Sequence, residues 1–302
     1  MKKITGYEMK VADNGAKYVT LESVPGTEIG ISLFNEKLGP CLNYGLSVFH
    51  TCRHDCECYM KTDTNGNKVP GDCYGFHNCC SFPGNKAIYA NNFKFIMSHS
   101  YDEILAEFQR HIDAHPELKD FRHFEVGDIP FMWYVGLMCD LSRRNPSVRF
   151  WAYTKKYDFV NGYFDRYGIE TKPENLAINF SHWRNSDGSF LPMENPYNFP
   201  TAEFIPAGHE NEIQENTHIC PCSDPDYIGF CITCDHCCGS LKHGSHMALL
   251  EHSTSASRER DKKLSAARAA HKAEKETLLN EIKAERAAIR KEIMKARKAA
   301  AK

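Results

Sequence analysis

Hydrophobic and polar positions change period several times along the chain, and each change marks an element. Between Ser100 and His115 the apolar residues Ile104, Leu105, Phe108 and Ile112 fall on one helical stripe, with Ser100 as a cap and Pro116 as a stop. Phe121 to Val126 reads as a strand, Phe131 to Arg144 as a buried helix and Val148 to Thr154 as a strand. Tyr157 to Tyr167 reads as a helix ended by Gly168, and Leu176 to Phe180 as another strand. Nearer the start, Tyr18 to Leu21 and Ile29 to Phe34 are candidate strands, with turns at Asp13-Asn14-Gly15 and Pro25-Gly26. The stretch 184–217 is rich in Asn, Pro, Gly and Glu and reads as loop. From about Ser255 the chain turns to Ala, Lys, Arg and Glu without Gly or Pro, which predicts a long C-terminal helix. Leu264, His271 and Leu278 stand seven apart there, but the heptads are interrupted, so a coiled coil and a single solvated helix both remain open.

The β-α-β-α-β order predicts an α/β fold: a parallel sheet with helical crossovers, either open or forming a partial, barrel-like core. In such folds chemistry collects beyond the C-terminal ends of the strands. That directs attention to Gly127-Asp128, Thr154-Lys155 and Ser181-His182-Trp183. The expected division is a strand-rich segment of the core over 1–50, an α/β metal-binding body over 51–252 and a helical tail over 253–302.

With 302 residues, 42% of them hydrophobic, the chain can bury a sizeable core. Charge separates tail from body: 15 Lys/Arg face 7 Asp/Glu from Ser253 to Lys302, against 22 and 32 in the rest. A basic tail on an acidic body suits contact with nucleic acid or an acidic protein partner. The first residues do not read as a signal peptide, and no apolar run reaches the roughly 18 residues of a membrane span. The expectation is a cytoplasmic protein with no membrane partner. In that compartment the 14 cysteines stay reduced, so metal ligation explains them better than disulfides. Cys139 and Cys41 also read simply as small buried apolar residues.

The cysteines fall into two groups. The later one contains Cys220-Pro221-Cys222 and then Cys231, Cys234, Cys237 and Cys238. Three cysteines with two residues between neighbours, plus a distant fourth from Cys220 or Cys222, match the logic of ferredoxin-type iron–sulfur ligation. Zinc is the alternative, using Cys231, Cys234, Cys237 and His218 or His236. The earlier group runs Cys52, Cys56, Cys58, then Cys73, then Cys79-Cys80. Neighbours two apart diverge on a helix, so Cys56 and Cys58 need a turned or extended loop to share a cluster with Cys52. The favoured set is Cys52, Cys58 and Cys73, with Cys56 spare or substituting. His54 and His77 are candidate supporting donors or plain polar loop residues.

The run Thr51-Cys52-Arg53-His54-Asp55-Cys56-Glu57-Cys58, with Cys73-Tyr74-Gly75 and Asn91-Asn92, resembles the phage gene-product-eighty-eight family. Gly75 stands where that family carries alanine. The likeness continues through Arg122 to Gly127-Asp128, Trp151-Ala152-Tyr153-Thr154-Lys155 and the late cysteines, over roughly residues 30–240, and it implies a phage protein working in a bacterial host's cytoplasm. The layout is also similar to radical S-adenosylmethionine enzymes: a cysteine loop, a partial α/β barrel, then an auxiliary cysteine cluster. That resemblance implies a 4Fe–4S cluster on the first cysteines, a second cluster that is structural or binds substrate, S-adenosylmethionine as cofactor, and Gly127-Asp128 in the role of the segment that contacts the cofactor's amino group. The loop departs from the superfamily's usual Cys-x3-Cys-x2-Cys, being Cys-x3-Cys-x-Cys here.

Other residues at the strand ends have two readings each. Arg122 either holds a carboxylate or phosphate or pairs with Asp128 to brace the loop; His123 flanks the same strand. Lys155 either meets an anionic ligand or is solvated beside Lys156. Trp183 either packs as a lid or stacks on a ligand. No phosphate-binding Gly-Lys-Ser/Thr run, dinucleotide Gly-x-Gly-x-x-Gly or Gly-x-Ser-x-Gly elbow occurs, which argues against common nucleotide and hydrolase chemistry. Two function classes follow. One is an iron–sulfur protein, as an enzyme acting on an unknown small or macromolecular substrate. The other is a non-enzymatic zinc or iron–sulfur protein whose tail binds a partner.

Overall fold

Eight strands pair into one sheet. A computed structural model of the chain describes residues 7–11, 17–21, 27–35, 38–63, 65–71, 73–81, 83–185, 187–205, 209–213, 215, 217–221, 230–234, 236–240 and 245–250. Strands β1 (Tyr7–Val11) and β2 (Lys17–Leu21) form a separate antiparallel ribbon. β3 (Ile31–Asn35) and β4 (Gly39–Tyr44) enter the main sheet, and the single turn α1 (Val48–Thr51) leads into the first cysteine loop. That loop contains a small ribbon of β5 (Met60–Thr62) and β6 (Lys68–Pro70). Three helices follow: α2 (Tyr74–Ser81), α3 (Pro83–Ser98) and α4 (Tyr101–Ala114). Then come β7 (Asp120–His123), α5 (Met132–Arg144), β8 (Arg149–Thr154), α6 (Tyr157–Tyr167) and β9 (Leu176–His182). The remainder comprises β10 (Thr201–Ile205), β11 (His218–Ile219), the turn α7 (Cys231–Cys234), a helical turn at His236–Ser240 and β12 (His246–Leu250).

The sheet order is β11-β12-β10-β9-β8-β7-β4-β3, and every neighbouring pair is parallel except β3–β4. From β4 to β10 the strands succeed one another without reversal. Side chains alternate between the two faces. Phe121, Phe150, Ala152, Ile178 and Phe180 join the main core together with Phe108 of α4, Tyr134 and Leu137 of α5, and Val160 and Phe164 of α6. The opposite face carries Cys41, Trp151 and Tyr153, which pack against Cys231, Ile232, Cys237 and Cys238. Helices cover one side of the sheet; the second cysteine region roofs the other.

Helices α4, α5 and α6 fall within one or two residues of their expected bounds. Ser100 caps α4 in a reciprocal capping box with Glu103, an arrangement worth about 1 kcal/mol. Three expectations need correction. The strand expected over Phe121–Val126 ends at His123, because Phe124 takes φ +59° and turns the chain out of the sheet. The stretch 184–217, read as loop, holds β10, a parallel strand with Ala202, Glu203 and Ile205 buried. The sixteen-residue α3 was not anticipated. The long basic helix expected after about Ser255 lies outside the described residues, as do the turns at Asp13-Asn14-Gly15 and Pro25-Gly26. Among the described residues no helix is long and apolar enough to cross a membrane.

Candidate metal centre

The two cysteine groups, about 150 residues apart in sequence, line one cavity of about 310 Å3. Cys52, Cys56, Cys58 and Cys73 stand on one side, Cys220, Cys231 and Cys237 on another. Residues at the C-terminal ends of β7, β8 and β9 complete the wall: Gly127 and Asp128, Thr154 and Lys155, and Ser181, His182 and Trp183. These are the strand ends that the β-α-β order singled out.

The first group is held by turns. The amide of Tyr59 donates to the carbonyl of Cys56 at 2.9 Å, and the amide of Gly71 to the carbonyl of Tyr59 at 3.0 Å. Gly71 sits so close to the carbonyls of Glu57 and Cys58 that any side chain there would collide with backbone. The loop therefore doubles back and brings Cys73 to Cys58. Cys58 shares hydrogen bonds with both Cys56 and Cys73. Those bonds lower the pKa of Cys56 to about 7 and of Cys73 to about 6, against the opposing effect of burial, and the charge of Lys155 assists at both. Cys58 itself is raised, first by its hydrogen bonds to these two and then by burial. Cys52 is raised by burial, with Asp128 and Cys73 adding to the effect. Cys56 thus sits within hydrogen-bonding reach of Cys58. Cys79 is buried, Cys80 is exposed, and neither lines the cavity.

The second group is pinned to the sheet. Asn179 of β9 donates to the carbonyl of Cys237 at 2.9 Å, Arg149 of β8 to that of Ile232 at 3.0 Å, and the amide of Cys220 to Ala248 of β12 at 2.9 Å. The Cys237 sulfur lies 3.6 Å from that of Met247. Burial pushes the Cys237 thiol up to about 12, opposed by a hydrogen bond with the Tyr153 hydroxyl and reinforced by Cys220, Cys231 and Cys234 nearby. Cys234 does not line the cavity, and Cys222 lies outside the described residues. Cys139 is buried within the main core and Cys41 beneath the second group.

The sulfurs are neighbours without converging on a point. Among the described residues no group of three or more Cys, His, Asp or Glu side chains is arranged to hold one metal ion. A cluster is ligated through separate irons by separate thiolates, so it asks for proximity rather than a shared contact point. The donor set fits such a group in number and chemistry: soft sulfur ligands on two walls of one cavity, with a cation beside the first set.

Gly127 and Asp128 join that first set to the sheet. Gly127 has φ +86° and lies against the Leu46 carbonyl, a position that admits no side chain. The Asp128 amide donates to Thr51 Oγ1 at 2.9 Å, one residue before Cys52. Its carboxylate accepts from the Thr154 hydroxyl at 2.5 Å and from the amides of Lys155 and Ile129 at 2.9 and 2.7 Å. Burial nevertheless raises its pKa. The bracing partner of Asp128 is thus Thr154, not Arg122. Lys155 is half-buried; burial works against its charge, but the sulfurs of Cys58, Cys56 and Cys73 hold its pKa up. Its ammonium lies 5.3 Å from the Trp183 ring, which stacks on Phe204.

Several residues sit elsewhere. His123 points to the helical side, among Phe108, Phe121, Phe124, Tyr134 and Phe150. His54 stacks on Tyr59, and His77 bonds to the Gly71 carbonyl; neither lines the cavity. Arg53, Tyr74, Glu125, Trp151 and Tyr153 line it without having been singled out as ligands by their spacing. Alternation along β8 places Trp151 and Tyr153 on one face and was the available signal for those two.

The profile of the family described as gene product 88 matches residues 14–224. The chain belongs to the gene product 88 family. The matched segment starts earlier than the resemblance seen in the motifs and stops earlier, so it takes in the first cysteine group and Cys220 but not Cys231, Cys234 or Cys237. No curated protein and no solved structure matches the chain.

Proposed function

We propose that this gene product 88 family member is an iron–sulfur protein whose two cysteine groups hold two clusters facing a common cavity, in a radical S-adenosylmethionine-like layout. The carrying observation is that Cys52, Cys56, Cys58 and Cys73 line the same cavity as Cys220, Cys231 and Cys237. The unreversed run of parallel strands from β4 to β10, with helices on one side, supports the barrel-like reading. When bound, the first cluster supplies one electron for cleavage of S-adenosylmethionine. The chain's own residues do the rest. Cys52, Cys56, Cys58 and Cys73 provide thiolates, and Lys155 offsets their charge. Gly127 lets the backbone approach closely, and Asp128 presents a fixed carboxylate to a ligand amine. Cys220, Cys231, Cys234 and Cys237 serve the second cluster. The cytoplasm of a bacterial host, if the chain is phage-encoded, is the compartment that suits this chemistry.

The competing reading is a zinc-binding module. A zinc site needs four donors meeting about 2.0–2.3 Å from one ion, and Cys231, Cys234 and Cys237 with His218 or His236 are the donors it would use. Anaerobic purification followed by iron, sulfide and zinc analysis tests the proposal. Brown protein with broad absorbance near roughly 400 nm and about eight irons per chain is expected for two 4Fe–4S clusters. Colourless protein with stoichiometric zinc overturns it. Cluster-loaded, reduced protein that never cleaves S-adenosylmethionine removes the enzymatic part alone.

A further inference from the structure

The cavity holds a cation with no carboxylate beside it among the described residues. Arg53 is paired with Asp55 at 2.6 Å, and Lys155 stands by Cys56, Cys58 and Cys73. Arg122 is placed differently. It projects from β7 on the cavity face, with its guanidinium 5.9 Å from the centre of the Tyr153 ring. Its Nε is buried and has no hydrogen-bond partner, and no described carboxylate lies within ion-pair range of it. The acids that share the cavity bond to other groups and not to Arg122. Asp128 accepts from Thr154 and two amides, and Glu125 accepts from Asn35 at 2.9 Å and from Tyr89 at 3.4 Å. Arg122 is half-buried, and a guanidinium whose inner nitrogen is buried without an acceptor is stabilised by an anion in the cavity, whose carboxylate or phosphate oxygens its fork matches. The surrounding aromatic walls, Trp151, Tyr153 and Tyr74, suit a flat organic body. The volume is at the small end of ligand pockets.

We propose that Arg122 docks the anionic group of a small organic carboxylate or phosphate bound between the two cysteine groups. This names the substrate class of the same cavity and rests on the two-cluster reading for the reaction that follows. The full chain, purified without oxygen, is titrated calorimetrically with benzoate, phenyl phosphate and the neutral control benzamide. Iron is measured in each preparation. The same titrations are run on Arg122→Met and Arg122→Lys.

The expected result is saturable binding of at least one anion, with benzamide much weaker. Affinity should fall tenfold or more in R122M and partly return in R122K, because lysine keeps the charge but not the fork. Iron content should be unchanged in both. The tighter of the two anions then identifies the head group. Binding of neither anion, equal binding of benzamide, or undiminished binding by R122M overturns the proposal. Loss of iron from R122M overturns it too, since Arg122 would then serve a cluster. Arg122-dependent anion binding by iron-free wild-type protein would leave this inference standing and sink the two-cluster reading instead.

Discussion

The Thr154 hydroxyl donates to the Asp128 carboxylate across 2.5 Å, joining the end of β8 to the loop after β7. The same loop is fastened to Thr51, the residue before Cys52. One bond thus registers two strand ends and the start of the first cysteine loop. Thr154→Val removes the donor, leaving Asp128 Oδ1 with the Ile129 amide alone and the Lys156 amide without its acceptor. The expected loss of stability is about 1–3 kcal/mol, measured by urea unfolding of the two proteins side by side.

Cysteines within and outside the cavity should behave differently. Cys73→Ser is expected to lose about half of the chain's iron, and Cys237→Ser the other half. Cys80→Ser should keep it all, because Cys80 is exposed and off the cavity wall. Iron and sulfide assays on anaerobic preparations check this, and equal retention in all three variants would contradict the assignment.

Lys155 should tune the first cluster electrically. Replacing it with Met removes a positive charge beside Cys56, Cys58 and Cys73. Adding an electron then becomes harder, and the midpoint potential should fall on the order of 59 mV, one tenfold step in a one-electron equilibrium. Redox titration followed by absorbance or spin resonance reads the shift. An unchanged or raised potential would count against the charge pairing.

Acid stability should reflect His123 and His111. His123 is fully enclosed by aromatic rings, with neither ring nitrogen partnered, and burial lowers its pKa to about 3. Burial likewise lowers His111 to about 4, partly opposed by Glu107. Both are neutral when folded, whereas the unfolded chain protonates them near 6.5. Their contribution is therefore intact above about pH 6.5 and is lost progressively as pH falls toward 4 and 3, by roughly 1.4 kcal/mol per unit for each. His123→Phe should flatten part of that slope. Urea midpoints between pH 7 and pH 5 that fall as steeply in the variant as in wild type would refute it.

Much of the body was legible because local signals agreed. In α4 the stripe Ile104, Leu105, Phe108 and Ile112 coincides with a capping box and a following proline, so period and caps give one answer. Helix α3 escaped because its apolar pattern is broken by Asn91 and Asn92. Asn92 is fully buried and bonds the backbone of Gly30 and Gly45, so a core position carries a polar residue. Strand β10 escaped because it follows a proline-rich run and earns its place through parallel partners on both sides. The cavity itself is a product of strand order. Spacing within each group marked the cysteines as ligands, but only the packing of the second group on the face of Trp151 and Tyr153 sets it opposite the first.

The roof over that face has a practical consequence for anyone handling the protein. Cys238 packs against Cys41 and Trp151 of the sheet with almost no solvent access, and its segment shields parallel strands. Oxidation of Cys238 to a sulfinate would put a charge into an apolar contact and lift the cover from the strands beneath. Burial keeps that thiol from oxidants, so air should mark the exposed Cys80 well before it lifts the cover.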